Sequence, residues 1–305
     1  MKVASLRGNA LFRISNRRLL AERLLLKPEA LAAALNLDLP YVRRWKSKKG
    51  DEWRSEEPDA DEARAFRPID IPHPHLKQVQ RRIGRLLSSA RPPDWLFSPV
   101  KGRSYVDNAA RHLGSTAFCM LDIADYFPSC TTSAVAGMFL NELHCPPDVA
   151  SILTSLVTKD GSLPQGSPCS PVVAFYSKVG MWNEIARLVD ERGLIHSVYA
   201  DDLTISGPVI PGEAVWGVKK IVHKHGMRLR RDKEVGLFCR PADITGVIVT
   251  NGGLRLPNRQ FKRLAELRAQ RQASREKERE MIDRKIAGRI AQRRQVEGHD
   301  GQSAP

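Results

Sequence analysis

The run Ile195-His196-Ser197-Val198-Tyr199-Ala200-Asp201-Asp202-Leu203-Thr204-Ile205-Ser206 constrains this chain more than any other stretch. Two β-prone segments flank a short break that carries two adjacent carboxylates. This is the pattern of a tight hairpin with both acids at its tip. Adjacent acids repel: at about 4 Å and an effective dielectric near 20 the cost is roughly 4 kcal/mol. Hairpin turns favour a single Asp beside Gly or Asn, so turn chemistry does not explain the pair. A divalent cation is the natural compensation, and a solvated turn is the plain alternative. A second apolar run, Phe118-Cys119-Met120-Leu121, ends in Asp122. A buried strand that delivers Asp122 to the hairpin would gather three carboxylates. Such a set suits two hard cations bridged by a phosphate, the arrangement of nucleotidyl transfer.

Charge points the same way. The chain of 305 residues carries a formal net charge of +15. A chain this basic is drawn to polyanions, with nucleic acid the leading partner class and a membrane surface the alternative. No stretch is long and apolar enough to cross a membrane, and the first residues lack a signal-peptide core, so a cytoplasmic protein is expected. Five cysteines without CxxC spacing read as reduced, structural thiols rather than a zinc site.

Along the chain, residues from about Asn16 to Trp45 read as helical, with leucines at near-helical spacing. Asp51 to Ala65 is acidic, lacks an apolar face and reads as a surface loop. Arg67 to Pro72 is strand-like, and Leu76, Val79, Ile83 and Leu87 mark one face of a helix. From about Thr116 to Leu256 short strands and helices mix in the α+β manner. Arg259 to Arg294 holds 13 Lys and Arg against five Asp and Glu. An apolar stripe through Phe261, Leu264, Leu267, Ile282, Ile286 and Ile290 makes this segment helical. Its basic face reads as a phosphate-tracking surface, a solvated helix face or a partner-binding helix. The last residues, from Glu297, read as frayed.

Seven blocks in order, spanning roughly Phe66 to Asn251, resemble the reverse transcriptases, and among them the bacterial retron enzymes. They are Arg67-Pro68-Ile69-Asp70-Ile71-Pro72 with Leu76 to Arg81; Gly102-Arg103-Ser104 with Asn108-Ala109-Ala110-Arg111-His112; Leu121 to Ser129; Leu163-Pro164-Gln165-Gly166-Ser167-Pro168 to Pro171; Tyr199-Ala200-Asp201-Asp202; Gly226 to Lys233; and Ile244-Thr245-Gly246-Val247. Asn108 with His112, and Thr245-Gly246, are the retron-like details. The chain departs from the pattern where Val172 to Phe175 lacks an Asn, and where no Asn precedes Lys233.

The resemblance implies a right-hand polymerase with fingers, palm and thumb. Residues 1–65 would form a helical N-terminal region with an acidic loop, 66–256 the fingers and palm, and 257–305 a short basic helical thumb. It implies RNA-directed DNA synthesis from dNTPs on a structured non-coding RNA, giving an RNA–DNA hybrid primed from a 2′-OH. It also implies an effector protein and a role in phage defence. Asp122, Asp201 and Asp202 would be catalytic and hold two Mg²⁺ ions. Phe127 would lie under the sugar and exclude the 2′-OH, or serve as a core Phe. Gln165 would contact the incoming nucleotide across the close approach that Gly166 permits, or the two make a turn. Lys233 would neutralise or protonate the leaving pyrophosphate, or be a plain surface Lys. Lys101 and Arg103, like Arg67 and Lys77, would bind triphosphate or backbone phosphate. Asn108 and His112, four apart on one helix face, would contact RNA or support local structure. Thr245 and Gly246 would grip the primer, or form a hairpin turn. Arg271, Arg275 and Arg279 would meet nucleic acid from the thumb. The other readings are a group II intron-like or diversity-generating enzyme, an RNA-dependent RNA polymerase, and a catalytically silent RNA-binding relative. About fifty residues after Leu256 leave little for a maturase region. The intact carboxylates argue against silence, and Tyr-Ala-Asp-Asp with Phe127 against RNA synthesis.

Overall fold

The structure, a computed structural model, describes residues 4–299. Two short helices, α1 (Arg17–Leu24) and α2 (Pro28–Leu35), lead into strands β1 (Tyr41–Ser47), β2 (Trp53–Arg54) and β3 (Phe66–Pro72). Then come α3 (Pro74–Leu87), β4 (Leu96–Ser98), α4 (Tyr105–Ala110), β5 (Ala117–Asp122), α5 (Thr132–Gly137), α6 (Pro147–Val157), α7 (Ser170–Ser177) and α8 (Val179–Asp190). The hairpin β6 (Ile195–Tyr199) and β7 (Asp202–Gly207) follows, then α9 (Gly212–Lys224) and β8 (Val235–Phe238). A small meander, β9 (Ala242–Ile244), β10 (Val247–Thr250) and β11 (Gly253–Arg255), precedes α10 (Asn258–Ala273) and α11 (Glu276–Glu297). The mix of helices and strands is the expected α+β class.

Local chemistry sets the element ends. Asn16 caps α1 by accepting the Leu19 backbone N–H at 2.9 Å. Ser104 and Asp107 form a reciprocal capping box at the start of α4. On α3 the expected face, Leu76, Val79, Ile83 and Leu87, is buried.

One expectation is corrected here. The helix extended to Trp45 is instead two helices followed by a strand. β1 pairs antiparallel with β3 over seven residues, from Tyr41 opposite Pro72 to Ser47 opposite Phe66. Tyr-Val-Arg-Arg-Trp is rich in β-formers, and its partner lies in a distant segment, so local periodicity misjudged it. The sheet β2-β1-β3 therefore straddles the expected division at 65/66. Acidic residues 51–65 connect its strands, with β2 its only strand.

The central sheet has the order β4-β6-β7-β5-β8. β4 runs parallel to β6 and the other neighbours are antiparallel. Both of its faces are covered. Cys119, Leu121 and Ile123 join the main core with α3 and α5 to α9, whereas Phe118 turns to a second core with Val106, Ala109, Ile244, Val247 and Val296. This double burial explains why β5 reads as a continuous apolar run rather than an alternating one. The basic C-terminal segment is a helical hairpin, not one helix: α10 and α11 break at Ser274 and Arg275. The far end of α11 docks on the body through buried Val296 and a hydrogen bond from Gln292 to the Tyr105 hydroxyl at 3.1 Å. α11 runs on to Glu297, within the segment read as frayed, and residues 300–305 lie outside the described residues.

Candidate active site

The three carboxylates converge at one edge of the central sheet. β5 and β7 pair so that Asp122 stands directly opposite Asp202, and β6 pairs so that Tyr199 does as well. Residues directly opposite on antiparallel strands share a face, and like charges in that position destabilise. Asp201 lies in the two-residue loop, with Ala200 in the left-handed region at φ 57°. The Asp201 carbonyl accepts the Ile123 N–H at 3.0 Å, which ties the hairpin tip to the strand end beside it.

The electrostatics match that crowding. Burial, then the charges of Asp201 and Asp122, push the Asp202 carboxyl up to about 6. Asp201 is also raised, first by burial and further by Asp122. Asp122 is 4% exposed and forms an ion pair with Lys233, while Arg230 approaches it to 3.8 Å. Cations of the chain itself thus offset part of the repulsion. Among the described residues no three His, Cys, Asp or Glu side chains stand as a ready-made metal cage. The donor set still fits hard divalent cations, being oxygen-only, desolvated and mutually repelling.

An open groove of about 460 Å³ connects this edge to the β9–β10 turn; Asp122, Asp202, Lys233 and Thr245 all line it. Thr245 takes φ 49° and Gly246 φ 86°, so the turn is strained at a non-glycine residue. The Thr245 hydroxyl donates to the Tyr105 carbonyl at 3.1 Å and accepts from Asn108 at 3.3 Å.

Phe127 is half-buried beside Tyr126, with ring centroids 5.6 Å apart, in a compact turn after β5. Tyr126 is buried, as a packing residue should be. Gln165 is half-exposed. Gly166 packs on β3. Its φ is 133°, and a Cβ there would lie 2.5 Å from the Asp70 carbonyl oxygen. This close approach to the β3 backbone by itself requires glycine, while the residue remains exposed on its other side.

Other expectations are corrected by burial. Asn108 and His112 are 1% and 0% exposed, so neither reaches a nucleic acid. α4 ends at Ala110, before His112. The His112 ring bridges Ser206 and Ser197 at 2.7 Å each and thereby staples β6 to β7. Burial pushes its pKa down to about 3. Arg103 is also not free for phosphate: its guanidinium donates to the Pro93 and Leu96 carbonyls and lies over the Phe97 ring. Lys101 remains exposed beside Gly102. In the helical hairpin, Arg271 pairs with Asp283 and Arg279 donates to the Ser274 carbonyl, while Arg275 precedes α11. All three are exposed.

Some basic residues were not singled out from sequence. Arg230 sits at Asp122 but reads as one more Arg in a basic run. A cavity of about 600 Å³ lies between the β1 end and the helical hairpin, where Lys46 and Lys49, beside the expected phosphate ligand Arg67, face Arg259, Lys262 and Arg289. Only the fold brings those two stretches together.

Residues 48–249 match the family described as reverse transcriptase (RNA-dependent DNA polymerase). This exceeds half of the chain, and the chain belongs to that family, with its right-hand polymerase fold. In the right-hand scheme expected from the sequence, the central sheet with the carboxylates would be the palm, the β1–β3 sheet part of the fingers and the helical hairpin the thumb. The chain is 33% identical to the retron Se72 reverse transcriptase of Salmonella heidelberg over 52% of this chain and 42% of that one. It is 33% identical to the retron Ec86 reverse transcriptase of Escherichia coli over 46% of this chain and 44% of that one. A retron Mx162 reverse transcriptase of Myxococcus xanthus matches at 26% identity over 75% of this chain and 54% of that one. The chain thus spans about half the length of the curated relatives it matches.

Proposed function

We propose that this protein is an RNA-directed DNA polymerase of the retron type. The observation that carries the reading is the cross-strand pair Asp122–Asp202 with Asp201 at the adjoining hairpin tip. Desolvated, crowded carboxylates are costly, and a polymerase site is where that cost is offset on substrate binding. In this reading Asp122 and Asp201, with Asp202 more peripheral, would hold two Mg²⁺ ions. When bound, these ions would lower the pKa of the primer hydroxyl and stabilise the leaving pyrophosphate.

The chain's own groups do the rest. Lys233, paired with Asp122 in the free protein, turns to the pyrophosphate and neutralises or protonates it. Phe127 lies under the sugar and Gln165 contacts the nucleotide. Thr245, at the far end of the shared groove, and the adjoining Gly246 meet the primer. The basic cavity between fingers and thumb supports a phosphate-tracking path for the template.

By likeness to the retron relatives, the template is a structured RNA, priming comes from an internal 2′-OH, the product is an RNA–DNA hybrid, and an effector protein completes a cytoplasmic antiviral system. No helix among the described residues is long and apolar enough to cross a membrane. The test is to sequence the RNA that copurifies with the protein and to supply it with dNTPs and Mg²⁺ without an added primer. A DNA strand joined through a 2′–5′ linkage is the expected product. Synthesis only from added 3′-OH primers would overturn the retron assignment and leave a general reverse transcriptase.

A further inference from the structure

Asp70 on β3 is a buried acid that the polymerase site does not use. Its carboxylate, 9% exposed, accepts two hydrogen bonds from Arg43 of β1, at 2.9 and 3.1 Å, and one from Lys159 at 2.8 Å. Arg43 and Asp70 are also Cα partners across the β1–β3 sheet. Burial would raise the Asp70 carboxyl, but its hydrogen bonds to Arg43 and Lys159 hold it below the ordinary carboxylate range.

The same residue holds a loop by its backbone. The Asp70 N–H donates to the Gln165 carbonyl at 2.7 Å, and Gly166 packs where a Cβ would meet the Asp70 carbonyl at 2.5 Å. Lys159 stands at the other end of that loop, in a tight turn closed by reciprocal bonds with Ser162 at 2.8 and 3.0 Å. The loop's far side joins the turn after β5. Thr132 N–H donates to the Gly161 carbonyl at 2.8 Å, and Leu163 N–H to the Cys130 carbonyl at 3.1 Å. Cys130 N–H in turn donates to the Phe127 carbonyl at 3.0 Å. One segment, residues 158–166, therefore links the fingers sheet to both Gln165 and the Phe127 turn.

We propose that Asp70, held between Arg43 and Lys159, is a positioning residue that sets the nucleotide-selecting loop 158–166 against the fingers sheet. The inference rests on the reading that Gln165 and Phe127 meet the incoming nucleotide. A buried charge cluster is a weak source of net stability, because apolar groups of similar size often do as well. Its advantage is direction: three charge-assisted bonds fix one orientation of the loop, where an apolar contact would tolerate several. Asp70 touches no substrate, and its effect passes through Gln165 and Phe127.

Asp70→Asn keeps the shape and removes the buried charge, leaving exposed Asp160, 4.0 Å from Arg43 and 3.1 Å from Lys159, as the carboxylate beside both. Lys159→Gln is the second variant, which leaves Arg43 on Asp70 if the first fails to fold. Steady-state primer extension and amide hydrogen exchange are measured on each. The expected result is a KM for dNTP raised about tenfold with kcat within about threefold. Discrimination against rNTPs should weaken, and exchange should quicken across 158–166 but not in β5 to β7. Folded variants with wild-type KM and wild-type loop exchange would overturn the proposal. So would a loss of melting temperature with KM unmoved, which marks plain structural support. If wild-type protein makes no DNA on any template, the polymerase reading fails by itself, and loop exchange alone then decides whether Asp70 holds the loop.

Discussion

At the scale of single residues, acid–base behaviour is the sharpest handle. Asp202 has a folded value near 6 against an ordinary 3.8. A raised carboxyl binds its proton more tightly when folded, so its contribution favours folding at low pH and is lost as pH climbs from about 4 through about 6. Above that range the metal-free protein carries the full penalty. Asp202→Asn should therefore raise metal-free stability at pH 7.5 by about 1–3 kcal/mol, with the gain fading near pH 4. Denaturation at the two pH values checks this; an equal gain at both would remove the charge explanation. Phe127→Val should raise rNTP incorporation relative to dNTP by about tenfold or more, measured in competition at preserved activity. Unchanged discrimination would make Phe127 a packing residue. The acidic pair was legible because Asp-Asp between two β-prone runs stands out by itself, whereas the role expected of Phe127 came only from the resemblance. Arg103 was not legible: a basic residue beside Gly reads the same whether it faces solvent or backbone carbonyls.

At the scale of elements, the β6–β7 hairpin shows what sequence does and does not carry. Its strands and acidic tip follow from two β-prone runs around an acidic break, because the pairing is local. The staple that holds it does not. His112 lies far away in sequence, and only the fold brings it between Ser197 and Ser206. β1 was hidden for the same reason, since its partner β3 lies beyond the acidic loop. His112→Ala strands the buried Ser197 hydroxyl, leaves Ser206 with Ser115, and opens a void, at a cost of about 2–4 kcal/mol. Urea unfolding should show that loss while the folded fraction binds RNA normally. Weakened RNA binding at wild-type stability would return His112 to the interface.

For the whole molecule, the ordered motifs made the polymerase architecture readable, whereas the cationic cavity between the β1–β3 sheet and the helical hairpin was not, because it joins stretches far apart in the chain. Exposed Arg271, Arg275 and Arg279 belong to that scale. Changing all three to Gln should weaken template–primer binding and lower the log–log salt slope by about 0.7 to 0.9 for each phosphate the thumb ceases to neutralise. Wild-type affinity and slope would make the hairpin a solvated or protein-binding element. The central claim is that Asp122, Asp201 and Asp202 form one Mg²⁺-dependent catalytic group. Its most direct test is primer extension on an RNA template with dNTPs and Mg²⁺, comparing wild type with Asp201→Asn/Asp202→Asn. The double variant should bind template–primer as wild type does while its DNA synthesis falls by about a thousandfold or more. Appreciable DNA product from that variant, or wild-type synthesis that persists in excess EDTA, would contradict the account.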